Sequence, residues 1–174
     1  MKKIGLMNHW KRKMKKMIKI RQSVFETNSS SIHSLSLAKD GFEKCNIPIK
    51  RKKIDGKFKR FLVVKLAGFG SDYHIYDKQE EKLSYLVTLS YIVDGGNDIE
   101  YMKHAYWYHR MEEEICKYCK CDGIMIDETS IADAAIDHQT LTDYSSISDF
   151  PNIMGIDYVT FVFNKHAELK TDSD

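Results

Sequence analysis

Thr27, Asn28, Ser29, Ser30 and Ser31 place four hydroxyls and an amide in five consecutive residues, with His33 two positions further on. Such side chains bond to nearby backbone amides, or offer O–H and N–H groups to a phosphate or to a partner's backbone. With Lys19 and Arg21 alongside, Arg21, Thr27, Asn28, Ser29, Ser30, Ser31 and His33 form a candidate binding loop; an ordinary tight loop fixed by its own hydroxyls would use the same letters. His33 is a potential general base for one of the serines. Its strand parity with Leu35 and Leu37 reads instead as a core histidine, and no acidic third member of a triad can be assigned from spacing.

Three of the four cysteines crowd together as Cys116-Lys-Tyr-Cys119-Lys-Cys121, with His104 and His109 upstream. Two thiolates three residues apart at a helix end can reach one zinc ion, so Cys116, Cys119 and Cys121 are candidate zinc ligands. No second Cys-x-x-Cys and no paired histidine motif completes a finger, and three reduced thiols at a helix terminus is the competing reading. Further on, Asp127, Glu128, Asp133, Asp137 and His138 resemble the carboxylates around a divalent ion in a phosphodiesterase or nuclease. A lysine at motif spacing is missing, and solvated loop acids would look the same.

The strongest signal is electrostatic. Residues 1–60 carry 18 Lys and Arg against 4 Asp and Glu, a net +14, whereas residues 61–174 carry 9 against 21, a net −12. A segregation of this size can steer a polyanion to one side of the molecule and a basic surface to the other, unless the two parts neutralise each other in the fold. The densest basic stretch is Lys50, Arg51, Lys52 and Lys53 followed by Lys57, Lys59 and Arg60, with Phe58 and Phe61 interleaved. These seven cations are candidate contacts to a nucleic-acid backbone, salt-sensitive and blind to sequence. A charged hairpin edge that resists aggregation is the alternative.

The elements that must position these groups follow from periodicity. Residues 1–16 read as a poorly ordered basic arm, and 17–174 as one α+β domain; 174 residues with 43% hydrophobic content suffice for one core. Alternation predicts strands over 18–25 and 32–38, then a hairpin of 47–54 and 57–66 turned by Asp55-Gly56, a type I′ signature. Gly68-Phe69-Gly70 should end that strand. A helix over 79–93 carries Leu83, Leu86, Leu89 and Val93 on one face, stopped by Asp94-Gly95-Gly96. Asn97 or Asp98 caps a second helix to about residue 118, with Ile99, Met102, Tyr106 and Trp107 inward and Glu112, Glu113 and Glu114 outward. A strand at 124–127, a short helix near 144–149 and a final strand at 158–163 complete an architecture of N-terminal antiparallel hairpins, two central helices and C-terminal strands, all joining one mixed or antiparallel sheet. Apolar runs fall far short of the roughly 18 residues that span a bilayer, and the basic N-terminus lacks the apolar region of a secretory signal. The expectation is a protein of the bacterial cytoplasm with reduced cysteines and no membrane partner.

Val24-Phe25-Glu26-Thr27-Asn28-Ser29-Ser30-Ser31, followed by His33-Ser34, resembles the N-terminal signature of a family of small proteins encoded by phages and mobile elements of Firmicutes. Looser similarity extends to Gly68-Phe69-Gly70 with Lys82-Leu83-Ser84-Tyr85-Leu86, to Ile136-Asp137-His138-Gln139 and to Phe161-Val162-Phe163-Asn164. Ile32 stands where threonine is expected, and Asn164 leads into Lys165-His166 rather than proline. The resemblance carries no catalytic residue with it. It implies an accessory counter-defence protein, a non-enzymatic inhibitor of a host nuclease such as a CRISPR nuclease, with a host defence protein and nucleic acid as partners and no obligatory cofactor. A metal-dependent phosphodiesterase and a zinc-stabilised interaction module are the alternatives.

Overall fold

Leu83, Tyr85, Leu86, Val87 and Leu89 are all fully withdrawn from solvent. The helix that carries them, α1 (Gln79–Val93), is therefore buried around its whole circumference rather than along the single stripe expected from its leucines. In this computed structural model, which describes residues 41–70 and 72–171 together with the backbone of the strands β1 (Ile18–Ile20) and β2 (Ser34–Leu37), α1 is the axis on which the other elements pack. Glu80 and Glu81 in its first turn complement the positive end of the helix dipole. The proposed basic arm, 1–16, lies outside the described residues.

The fold is α+β. Strands β1 and β2 pair antiparallel with Ile18 opposite Leu37, as their alternation predicts. They join β9 (Glu168–Thr171) and β6 (His74–Tyr76) in a four-stranded sheet of order β1-β2-β9-β6. Strands β3 (Ile49–Ile54) and β4 (Lys57–Lys65) form the predicted hairpin, and β4 also pairs parallel with β7 (Gly123–Asp127). Leu62 and Val64 of β4 and Ile124 and Ile126 of β7 face the core against α1 and α3.

Four expectations need correction. The single sheet is three separate sheets, because the ladder of β4 is cut at its end: Leu66 N donates to Ser130 Oγ (2.8 Å) and Ala67 N to Thr88 Oγ1 (3.3 Å), so both donors are used by side chains. Gly68–Phe69 then forms its own two-residue strand, β5, parallel to β8 (Ala135–Ile136). The final strand at 158–163 is instead a helix, α6 (Tyr158–Phe163). Asp157 caps it by accepting from Thr160 N (2.8 Å), and its continuous apolar run packs on α1 and α3. An apolar run this short has no period to separate strand from buried helix, and the cap decides.

The second helix is broken. Asp98 caps α2 (Ile99–His104), Ala105 is extended with φ −71° and ψ 130°, and α3 (Tyr106–Cys119) begins afresh. The break resets the helical phase, so Met102 is followed into the core by Tyr108, Met111 and Ile115; Tyr106 and Trp107, expected inside, are 65% and 46% exposed. The helix expected near 144–149 is a 3-10 turn at Ile147–Asp149 that runs into α5 (Phe150–Met154), and α4 (His138–Leu141) fills part of the irregular stretch. Among the described residues, no helix is long and apolar enough to cross a membrane.

Candidate nucleic-acid interface

Asp55 and Gly56 take positive φ values of 50° and 78°, the pair of left-handed residues that a type I′ turn needs and that a glycine accepts without strain. That turn sets the register: Lys50 faces Phe61, Arg51 faces Arg60, Lys52 faces Lys59 and Lys53 faces Phe58. Pairing with β7 starts only at Phe61 opposite Gly123, so the stretch of hairpin that holds the basic cluster runs past the third strand. Its base is anchored to the β7 approach by two bonds, Asp122 N to Arg60 O (2.7 Å) and Arg60 N to Asp122 Oδ2 (2.8 Å).

Alternation distributes the cations over both faces. Arg51, Lys53 and Arg60 share one with Phe58, while Lys50, Lys52, Lys57 and Lys59 share the other with Phe61. Phe58 is 74% exposed, a large apolar surface beside charge. Within residues 50–60 there are seven cations and one acid, Asp55. None of the seven takes part in an ion pair among the described residues; the pairs present, such as Lys103–Glu100 and Arg110–Glu113, lie on the helices and elsewhere. Arg51 opposite Arg60 and Lys52 opposite Lys59 are like-charge cross-strand pairs, an arrangement that costs stability until an anion lies over it.

One side of the hairpin opens into a concavity of about 340 Å3 lined by Lys52, Ile54, Phe61, Lys103, Met125 and Glu128. Lys103 reaches it from α2, a contribution with no local signal because the hairpin residues it joins, Lys52, Ile54 and Phe61, lie some forty to fifty residues earlier in the chain. Of the sites expected from the sequence, Arg21, Thr27, Asn28, Ser29, Ser30, Ser31 and His33 lie outside the described residues.

Of the carboxylates expected around a metal, Asp127 and Asp137 have structural employment. Asp127 caps the 3-10 turn Glu128–Asp133 by accepting from Thr129 N (3.1 Å) and Thr129 Oγ1 (2.7 Å). These bonds, helped by the charges of Lys65 and Lys50, hold its carboxyl below the usual range. Asp137 accepts from Thr140 N (3.3 Å) and lies 3.5 Å from His138 Nδ1, while Glu128 and Asp133 are exposed.

The three clustered thiols separate into different contacts. Cys121 Sγ donates to Cys116 O (3.8 Å), whereas Cys119 is buried at the end of α3. Burial pushes the Cys116 thiol up, and the bond to Cys45 followed by burial pushes Cys119 up. Both sit in the last turn of α3, where the negative end of the helix dipole also disfavours thiolate. Zinc takes thiolates. Among the described residues no three His, Cys, Asp or Glu side chains are gathered as a metal-ligating group.

No protein-family model, curated protein or solved structure matches the chain. Most of the signature at 24–34 lies outside the described residues.

Proposed function

We propose that this protein is a non-enzymatic binder that lays a nucleic-acid backbone along the β3–β4 hairpin, and that it serves as a phage-type counter-defence protein by occupying the nucleic acid of a host nuclease, a CRISPR nuclease being the specific case. The observation that carries the proposal is the hairpin itself: seven cations in eleven residues, four of them opposed in two like-charge pairs across the strands, with no ion pair to offset them among the described residues. A solubilising edge needs only scattered charge, and it would interleave acids. Like charges held face to face have their repulsion relieved by a polyanion, which also steers that polyanion in from solution.

The test is fluorescence anisotropy of labelled RNA and DNA with the full chain at several salt concentrations. If about four to six phosphates are neutralised, log K falls against log salt with a slope of roughly −3 to −5. Reversing Arg51, Lys52 and Lys53 to glutamate should remove at least about 2 kcal/mol of binding and flatten that slope, with the fold intact by circular dichroism. Added to a guide-loaded CRISPR nuclease, the unaltered protein should slow target cleavage and the reversed variant should not. Full binding by the variant would overturn the hairpin as the interface. Binding without any effect on cleavage would leave a nucleic-acid binder outside counter-defence.

A further inference from the structure

Two aromatics stand on the hairpin, and the fold treats them differently. Phe58 is largely exposed, whereas Phe61 is half-buried. Phe61 lies opposite Gly123 of β7, and a Cβ added at Gly123 would come within 3.2 Å of two carbons of the Phe61 ring. The ring therefore rests against the β7 backbone, in space that a side chain at 123 would crowd. Met125 stands beside Val63, one step along the same face of the sheet. The position of Phe61 is thus set by its neighbours before any ligand arrives.

Phe61 lines the concavity of about 340 Å3 beside the hairpin, with the half-buried Ile54 and Met125 and with three charged residues, Lys52, Lys103 and Glu128. The Lys103 ammonium is already paired with Glu100 at 2.6 Å, and Glu128 is an exposed carboxylate, so the concavity does not suit a phosphate. An apolar surface with an aromatic ring, a few donors and one acceptor suits a flat, uncharged group with polar margins, which is the description of a nucleobase. Phosphates have their own place on the face that Phe61 shares, where Lys50, Lys52, Lys57 and Lys59 supply unpaired charge.

We propose that the nucleic acid laid along the hairpin is a single strand, one base of which turns into the concavity and stacks on Phe61 while the adjoining phosphates follow Lys50, Lys52, Lys57 and Lys59. This inference rests on the hairpin being the interface and adds the form of nucleic acid it takes. A duplex offers the same phosphates, but its bases are held in pairs, and one must be unstacked and unpaired before it can reach Phe61. Basic side chains that track a backbone beside an aromatic that receives a base are the two parts of a single-strand site. Stacking uses the π-face common to every base and no sugar hydroxyl, so the contact is indifferent to sequence and serves DNA and RNA strands alike.

The experiment uses fluorescence anisotropy with the full-length protein and three labelled probes: a short DNA strand, the same strand annealed to its complement, and an abasic strand of equal length. The single strand should bind at least about tenfold tighter than either of the others, the loss expected for one base–aromatic stack. Phe61→Leu, which keeps an apolar side chain at that place, should lose about tenfold on the single strand and leave duplex affinity unchanged, with the fold checked by circular dichroism. On the unaltered protein, a strand carrying 5-iodouracil should photo-cross-link to Phe61 or Met125. Equal affinity for all three probes would overturn the base contact while the hairpin remained the interface, and a cross-link confined to Phe58 would overturn the concavity as the seat of the base. Absence of salt-sensitive binding to any probe would remove the hairpin reading itself, and this inference with it.

Discussion

Asp94 shows how much a single residue does beyond what its letter announces. In the sequence it belongs to a helix stop, Asp94-Gly95-Gly96. In the fold its carboxylate accepts from Ser90 Oγ (2.6 Å) within α1 and from Ser146 Oγ (2.7 Å) and Ile147 N (3.2 Å) across the chain. It joins the end of the central helix to the turn that opens α5. Removing it leaves three donors short of an acceptor in a half-buried place, each such loss costing on the order of 1 kcal/mol. Asp94→Ala should therefore destabilise by about 2–3 kcal/mol in urea unfolding, and Asp94→Asn by roughly half as much because an amide oxygen still accepts. Nucleic-acid affinity of the folded fraction should be unchanged in both, since the hairpin is elsewhere. Asp94, like Lys103, draws its role from partners dozens of residues away, and spacing rules applied to neighbours do not reach that far.

Elements were legible where a local rule and the tertiary environment agreed. The Asp55-Gly56 turn fixed the register of β3 on β4, so the basic cluster could be placed on a hairpin from its letters alone. Helix α1 matched its predicted span, since its leucines suit a helix on any face. Reading failed where tertiary burial overrode local pattern: α6 has the composition of a strand, and the break at Ala105 exposes two aromatics that a continuous helix would have turned inward. The connection between α1 and α2 allows a sharper test of packing against conformation. Gly96 has φ +56° with nothing within 4 Å of an added Cβ, whereas a Cβ at Gly95 would meet Tyr91 O at 2.6 Å, Asp98 O at 2.7 Å and Met102 Cβ at 2.8 Å. Two of those three atoms are backbone and cannot swing aside. Gly95→Ala should cost about 2–4 kcal/mol, more than Gly96→Ala at about 1 kcal/mol, although only Gly96 is left-handed. Thermal or urea unfolding of the two variants reads the difference, and equal losses would mean that the connection moves as a unit.

At the scale of the whole molecule, the buried ionisable groups predict how stability responds to pH. Lys82, 1% exposed, donates to Asn164 O (3.0 Å) and Ala167 O (3.1 Å), and burial lowers it to about 8 from 10.5. Between those values the unfolded chain holds a proton that the native state has released, so this group makes stability rise with pH. Cys45, lowered to about 7 by its bond from Cys119, acts in the same direction between 7 and 9. Against them stand Tyr85, Tyr108, Tyr144 and Tyr158, all raised chiefly by burial, and the raised thiols Cys116 and Cys119. For these the native state keeps protons that the unfolded chain sheds above about 9 for thiols and 10 for phenols, so their contribution is complete below those values and is lost as pH rises. The expected profile, measured by urea unfolding in reductant, rises modestly from pH 7 to 9 and falls steeply above 10, where each proton retained only by the native state removes about 1.4 kcal/mol per pH unit. Lys82→Met should shrink the rise and leave the alkaline fall in place. A steady decline from pH 7 upward would show that neither Lys82 nor Cys45 releases its proton in the folded molecule.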